Sequence, residues 1–172
     1  VFLGDNRFTS SLPTELGLLP NVDHLGGLNN LFAGPLPSEI GLMTSLTSLL
    51  LDNNQFVGPV PVLGSLANLH TLNLKQNALT GPISTEIGMA RSLEFLSLRA
   101  NHINGTLPSE IGRLSSLETL WLPDNDFSGT VPPSIGSLAI SSSGGVLNHF
   151  NVSNNKLTGT VPRDLCSIAI LD

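Results

Sequence analysis

The sequence predicts a solenoid of stacked strand–turn units, and three observations predict it. Asparagine recurs at Asn6, Asn30, Asn54, Asn77, Asn101, Asn125 and Asn155, at gaps of 24, 24, 23, 24, 24 and 30 residues. Apolar residues alternate just before nearly every one of them, and glycine and proline follow at constant offsets. One such unit cannot bury its apolar face alone, but stacked neighbours share a continuous core.

Each part of the unit has a physical role. Three residues before the asparagine stand Leu3, Leu51, Leu74, Leu98, Leu122 and Val152; five before it stand Leu25, Leu49, Leu72, Leu96, Leu120 and Phe150. That alternation is a short strand with one buried face. The asparagine side chain both donates and accepts, so a stacked column can satisfy backbone groups where the chain turns inward. Two residues later come Phe8, Phe32, Phe56, Leu79, Ile103, Phe127 and Leu157, read as core. Four later stands glycine, with Ser10 the exception; seven later stands proline, with Ser84 the exception. Glycine permits the tight or left-handed backbone, and proline stops the second extended segment. The "SEIG" and "TEIG" pieces predict a single helical or 3₁₀ turn. A second glycine closes each unit (Gly17, Gly41, Gly64, Gly88, Gly112, Gly136), and Cys166 takes that slot in the last.

These residues resemble the plant-type leucine-rich repeat, LxxLxLxxNxLxGxIPxxLGxL, over essentially the whole chain. The resemblance implies an α/β fold: a right-handed leucine-rich-repeat solenoid with a parallel sheet on its concave side. A second short sheet follows the glycine, and 3₁₀ turns occupy the convex side. The family includes ectodomains of receptor-like kinases and secreted inhibitors of cell-wall polygalacturonases.

Departures from the pattern carry their own expectations. Gly27 stands where a core leucine belongs, which predicts a weakened or distorted second strand. The unit after Asn54 lacks a residue between Pro61 and Leu63 and should have a shortened convex turn. The long gap predicts a surface insertion at 140–145, "ISSSGG". Residues 1–172 read as one solenoid of about seven units, a piece of a longer array without its polar caps. Flanking repeats or a transmembrane and kinase region would then lie outside it.

Composition narrows the function. Charged residues make up 12% of the chain, and the formal charge is −6. The 7 basic residues are dispersed, which argues against nucleic acid and against a membrane surface. No stretch is long and apolar enough to span a bilayer. The only cysteine, Cys166, excludes an internal disulfide and reads as a small buried residue. Catalytic signatures are missing: no nucleophile elbow, P-loop, zinc-protease or dinucleotide motif. The histidines His24, His70, His102 and His149 are scattered, so no metal or other cofactor is expected.

What remains is the outward face of the first strands, six, four and two residues before each asparagine. Phe95 and Trp121 place aromatics on neighbouring strands, and exposed aromatics on a rigid sheet suit a binding hot spot. Lys75 and Arg99 share a row and could hold an anion, but a solvated face balanced by Asp52, Glu94 and Glu118 accounts for them better. The candidate ligand surface is Asn73, Lys75, Phe95, Ser97, Arg99, Thr119 and Trp121. Two sequons, at Asn104 and Asn151, are candidate glycosylation sites and support an extracellular or cell-surface location.

The function expected is a non-catalytic module that binds a protein or peptide, as in a receptor ectodomain. A structural scaffold in a larger assembly, or an inhibitor of a wall glycosidase, is the alternative. Ice binding through threonine ladders (Thr106, Thr130, Thr160) has weak support, because only three units carry that pattern.

Overall fold

The computed structural model describes residues 1–138 and 147–167. The 140–145 insertion lies outside the described residues, and so does the side chain of Cys166.

Among the described residues two parallel sheets of six strands each run along the stack from the second unit on, and the first unit adds only an isolated bridge from Phe2 to Gly26. The concave sheet contains β1 (His24–Gly26), β3 (Ser48–Leu50), β5 (Thr71–Asn73), β7 (Phe95–Ser97), β9 (Thr119–Trp121) and β11 (His149–Asn151). The flanking sheet contains β2 (Ala33–Pro35), β4 (Gln55–Gly58), β6 (Ala78–Gly81), β8 (His102–Thr106), β10 (Asp126–Gly129) and β12 (Lys156–Leu157). Each strand pairs with its equivalent one repeat away. In the concave sheet sequence register and structural register coincide, so that Thr71 faces Phe95, which faces Thr119. The flanking sheet is offset by two residues, Gly34 facing Phe56 and Gly58 facing Leu79. Such pairing follows from the near-constant repeat length, because each turn of chain returns to the same height.

The convex side carries 3₁₀ turns at Thr14–Leu18, Ser38–Leu42, Thr85–Met89, Ser109–Arg113, Pro133–Leu138 and Arg163–Ser167. The unit after Asn54 has none, which is the consequence of its missing residue. Where proline is replaced by Ser84, the serine hydroxyl accepts the N–H of Glu86 at 3.2 Å and caps the turn instead. Each closing glycine lies against the next repeat. A Cβ on Gly88 would meet the carbonyl oxygen of Glu110 at 2.6 Å, too close for any side chain.

Columns of leucine fill the space between the sheets and the turns. Leu25, Leu49, Leu72, Leu96 and Leu120 are at most 1% exposed, and Leu46, Leu69, Leu93 and Leu117 form a parallel column at 0%. Phe32 and Phe56 stack with ring centroids 6.1 Å apart, and Phe8 continues the stack at 5.8 Å. Phe8 is nevertheless 46% exposed, so it is half outside the core to which the sequence assigns it.

Gly27 does not distort its strand. β1 keeps the register of its neighbours, and the Gly27 N–H donates to Leu50 at 2.8 Å. The side chain of Leu51 and the ring of Phe32 fill the missing leucine's place, lying 3.1 and 3.2 Å from where a Cβ would stand. A large ring one residue column away compensates for the lost volume.

The asparagine ladder performs the accounting expected of it. Asn101 Nδ2 donates to the carbonyls of Leu74 (3.1 Å), Leu98 (3.0 Å) and Arg99 (3.3 Å), while its Oδ1 accepts the N–H of Leu79 (3.0 Å). Asn30, Asn54, Asn77, Asn125 and Asn155 repeat this arrangement. At Asn6 the side chain reaches only its own repeat, at Leu3 and Gly4.

A second column stands beside it. The residue before each ladder asparagine is left-handed: Asp5, Asn29, Asn53, Gln76, Ala100, Asp124 and Asn154, with φ between 51° and 58°. Asparagine and aspartate tolerate this conformation best among non-glycine residues, which explains five of the seven. Their side chains also link: Asn53 donates to Asn29 and Asn29 to Asp5, each at 2.7 Å.

Candidate functional site

The concave sheet brings Phe95 and Trp121 together. By register Phe95 pairs with Thr119 and Trp121 with Ser97, so the two aromatics sit on a diagonal. Their rings meet edge to face, centroids 6.0 Å apart at 66°. This is the geometry the aromatic quadrupole favours, and it fixes both rings. Trp121 remains 38% exposed.

Ser97 lies between them and is 0% exposed. The flanking side chains cover it, so it cannot touch a ligand as the sequence suggests unless a ring moves. Its Oγ is buried without a hydrogen-bond partner, alone in this among the described residues.

The charges of the same face are paired inside the protein. Lys75 Nζ is 3.8 Å from Asp52, and Arg99 Nε is 3.4 Å from Asp124. Asp52 is 5% exposed, not solvated as its outward position implies. The Asn73 and Asn53 amides donate to its carboxylate at 3.1 and 3.2 Å. Burial pushes its pKa above the ordinary 3.8, against the pull of Lys75. Asp124 escapes the sequence reading because it belongs to the left-handed column, one residue off the outward row. The enrichment of Asp and Asn directly before the ladder is the signal that reveals it.

The remaining candidates are placed as follows. Asn73 and Thr119 are half-buried on β5 and β9, and Arg99 is exposed after β7. Asn104 is exposed on β8 of the flanking sheet, away from the concave face. Asn151 is half-buried at the end of β11, where its Oδ1 accepts from the N–H and hydroxyl of Ser153 at 2.9 and 2.8 Å. Among the described residues no three His, Cys, Asp or Glu side chains gather as a metal set. Among the described residues no helix is long and apolar enough to cross a membrane. An open cleft of about 300 Å³ lined by Val131, Val152, Leu157 and Val161 lies away from the aromatic pair.

Comparison with known proteins agrees with this architecture. The sequence pattern described as Leucine Rich Repeat matches residues 92–114, 116–138 and 146–168. Comparison with curated protein sequences gives no match. Among solved structures, the ectodomain of the plant membrane receptor kinase GASSHO1/SCHENGEN3 from Arabidopsis thaliana, in complex with CASPARIAN STRIP INTEGRITY FACTOR 2, superposes with a TM-score of 0.92. It is 33% identical, and the match covers 98% of this chain and 20% of that one. The Arabidopsis receptor kinase HAESA, in complex with the peptide hormone IDA and the co-receptor SERK1, gives 0.90 at 32% identity over 97% of this chain and 27% of that one. A plant ice-binding protein gives 0.82 at 26% identity, covering 94% and 51%. This chain thus spans between a fifth and about a quarter of those two receptor ectodomains. Register, asparagine ladder and these likenesses converge: the chain is a leucine-rich-repeat protein, similar in its repeats to the ectodomains of plant receptor kinases.

Proposed function

We propose that this chain is a non-catalytic module that binds a protein or peptide on its concave face, in an extracellular or cell-surface setting. The observation that carries this reading is the Phe95–Trp121 pair, held edge to face on a rigid sheet with the indole still open to solvent. Large aromatics of this kind supply much apolar contact area for little lost side-chain freedom. Thr119, Asn73, Lys75 and Arg99 surround the pair with polar groups. The receptor ectodomains similar to this chain support the reading, because the HAESA structure holds a peptide hormone. The ice-binding neighbour shows that the fold alone does not name the ligand, so the surface residues must carry the assignment. Glycans on the exposed Asn104 would leave this surface clear, whereas one on Asn151 would confine a ligand to the middle repeats.

The test is capture of partners from a pool of secreted peptides and proteins by the wild-type chain and by Phe95→Ala/Trp121→Ala. A partner lost by the double variant, with its unfolding midpoint unchanged, supports the concave site. A partner held equally by both moves the site elsewhere.

A further inference from the structure

The flanking sheet divides into two unlike halves. Its outward positions lie one, three and five residues after each ladder asparagine, alternating with the buried column of Phe32, Phe56 and Leu79. On the first three strands these positions are apolar almost throughout. Leu31, Ala33 and Pro35 stand on or beside β2; Val57 and Pro59 continue them at β4, and Ala78 and Pro82 at β6. Leu31 and Val57 are each 44% exposed, and the three prolines are exposed. Gln55 and Thr80 complete the nine positions, and none of the nine is charged. From β8 onward no outward position is apolar. One row there holds His102, Asp126 and Lys156, and the other two hold only asparagine, serine and threonine.

An exposed apolar patch on one half of a sheet marks a contact surface. Charge then narrows what meets it. The chain carries a formal charge of −6, and its acidic side chains stand elsewhere, as Glu15, Glu39, Glu86 and Glu110 do on the convex turns. Two equally acidic copies repel one another on such faces. Among the outward positions of the flanking sheet the acid is Asp126, and Lys156 neutralises it at 2.6 Å. A second copy of this chain can therefore approach the apolar half without facing like charge.

Register makes the same patch fit itself. Pro35 faces Val57 and Val57 faces Ala78, a straight row across three strands. A two-fold axis through Val57 maps that row onto itself in reverse, which is the isologous contact commonest among homodimers. We propose that two copies of this chain pair face to face through this apolar half of the flanking sheet, about an axis at Val57. Val57 meets Val57 of the second copy, Pro35 meets Ala78, and Leu31 meets Pro82. The nine positions cover roughly 300 Å² of sheet, against about 800 Å² per partner in a stable interface, so the pair is weak. Asn104 stands on the next strand, opposite the first unit of the second copy, so a glycan there would oppose pairing.

Sedimentation equilibrium of the unglycosylated chain tests this, in reducing buffer so that Cys166 cannot cross-link copies. Between roughly 0.02 and 1 mM the average mass should climb from that of one chain toward that of two. Val57→Glu sets two carboxylates against each other on the axis and should weaken the pair about tenfold. Pro82→Glu should weaken it about fivefold, and decides the matter if Val57→Glu does not fold. Thr158→Glu adds the same charge to the exposed polar half and should leave the pair unchanged. A chain that stays monomeric to about 1 mM overturns the proposal. So does a dimer that Val57→Glu and Pro82→Glu leave intact, or one that Thr158→Glu weakens equally. Because the contact uses the other sheet, neither result bears on the Phe95–Trp121 site.

Discussion

The side-chain oxygen of Asn101 accepts the backbone N–H of Leu79, 22 residues earlier, at 3.0 Å. Its amide nitrogen meanwhile reaches three carbonyls in two repeats. Asn101→Ala therefore orphans a buried N–H and several carbonyls at once. The expected loss is about 3–4 kcal/mol, the sum of several buried unmade hydrogen bonds. Urea unfolding checks it, with Asn6→Ala as the comparison: Asn6 is exposed and bonds only its own repeat, so its removal should cost about 1 kcal/mol or less.

Ala100 holds φ at 54° immediately before that asparagine, in a column where asparagine and aspartate predominate. An alanine there carries the full left-handed penalty without a compensating side-chain bond. Ala100→Gly is expected to stabilise the protein by about 0.5–1 kcal/mol, since relief of the strain exceeds the entropy glycine adds to the unfolded chain. Thermal unfolding that moves downward instead would refute this.

Gly88 shows the opposite constraint. Its Cβ position is occupied by backbone of the next repeat, not by a flexible side chain. Gly88→Ala must push two repeats apart and should cost about 1–3 kcal/mol, read from the urea midpoint.

Asp52 gives the protein a pH response of definite sign. Burial raises its pKa in the folded state above 3.8, so the folded chain binds the proton more tightly than the unfolded one. Stability from this group is greatest when it is protonated and falls as pH rises from the unfolded pKa through the raised folded one. Asp126, held low by Lys156, acts in the other sense: its contribution is present above the unfolded pKa and fades as pH falls through the folded one. Asp52→Asn should flatten the decline across the weakly acidic range, measured by unfolding at a series of pH values. An unchanged slope would assign the pH response to other groups.

Ser97→Ala removes a buried hydroxyl that has no partner in the free protein. The variant should be more stable by about 1 kcal/mol, because nothing is lost but a desolvated polar group.

Much of this architecture was legible in the sequence because each repeat solves the same problem alone and its neighbour repeats the answer. Strand positions, core columns and ladder asparagines all follow from local pattern and constant period, whereas the turn after Asn54, expected merely to shorten, is lost altogether. The outward row was legible too, which is why Phe95 and Trp121 emerge before any coordinates. What happens within that row was not. Whether an outward side chain is exposed depends on what its neighbours two residues and one repeat away cover, and alternation carries no such information. Asp52 and Ser97 thus look solvated on paper and are buried in three dimensions. The cavity left by Gly27 is filled by Leu51 and Phe32, which only packing could decide. The sequence by itself determined a leucine-rich-repeat stack and its facing rows. Tertiary structure decided which charges are matched internally, Lys75 by Asp52 and Arg99 by Asp124, because side-chain reach across repeats sets ion pairing and period does not.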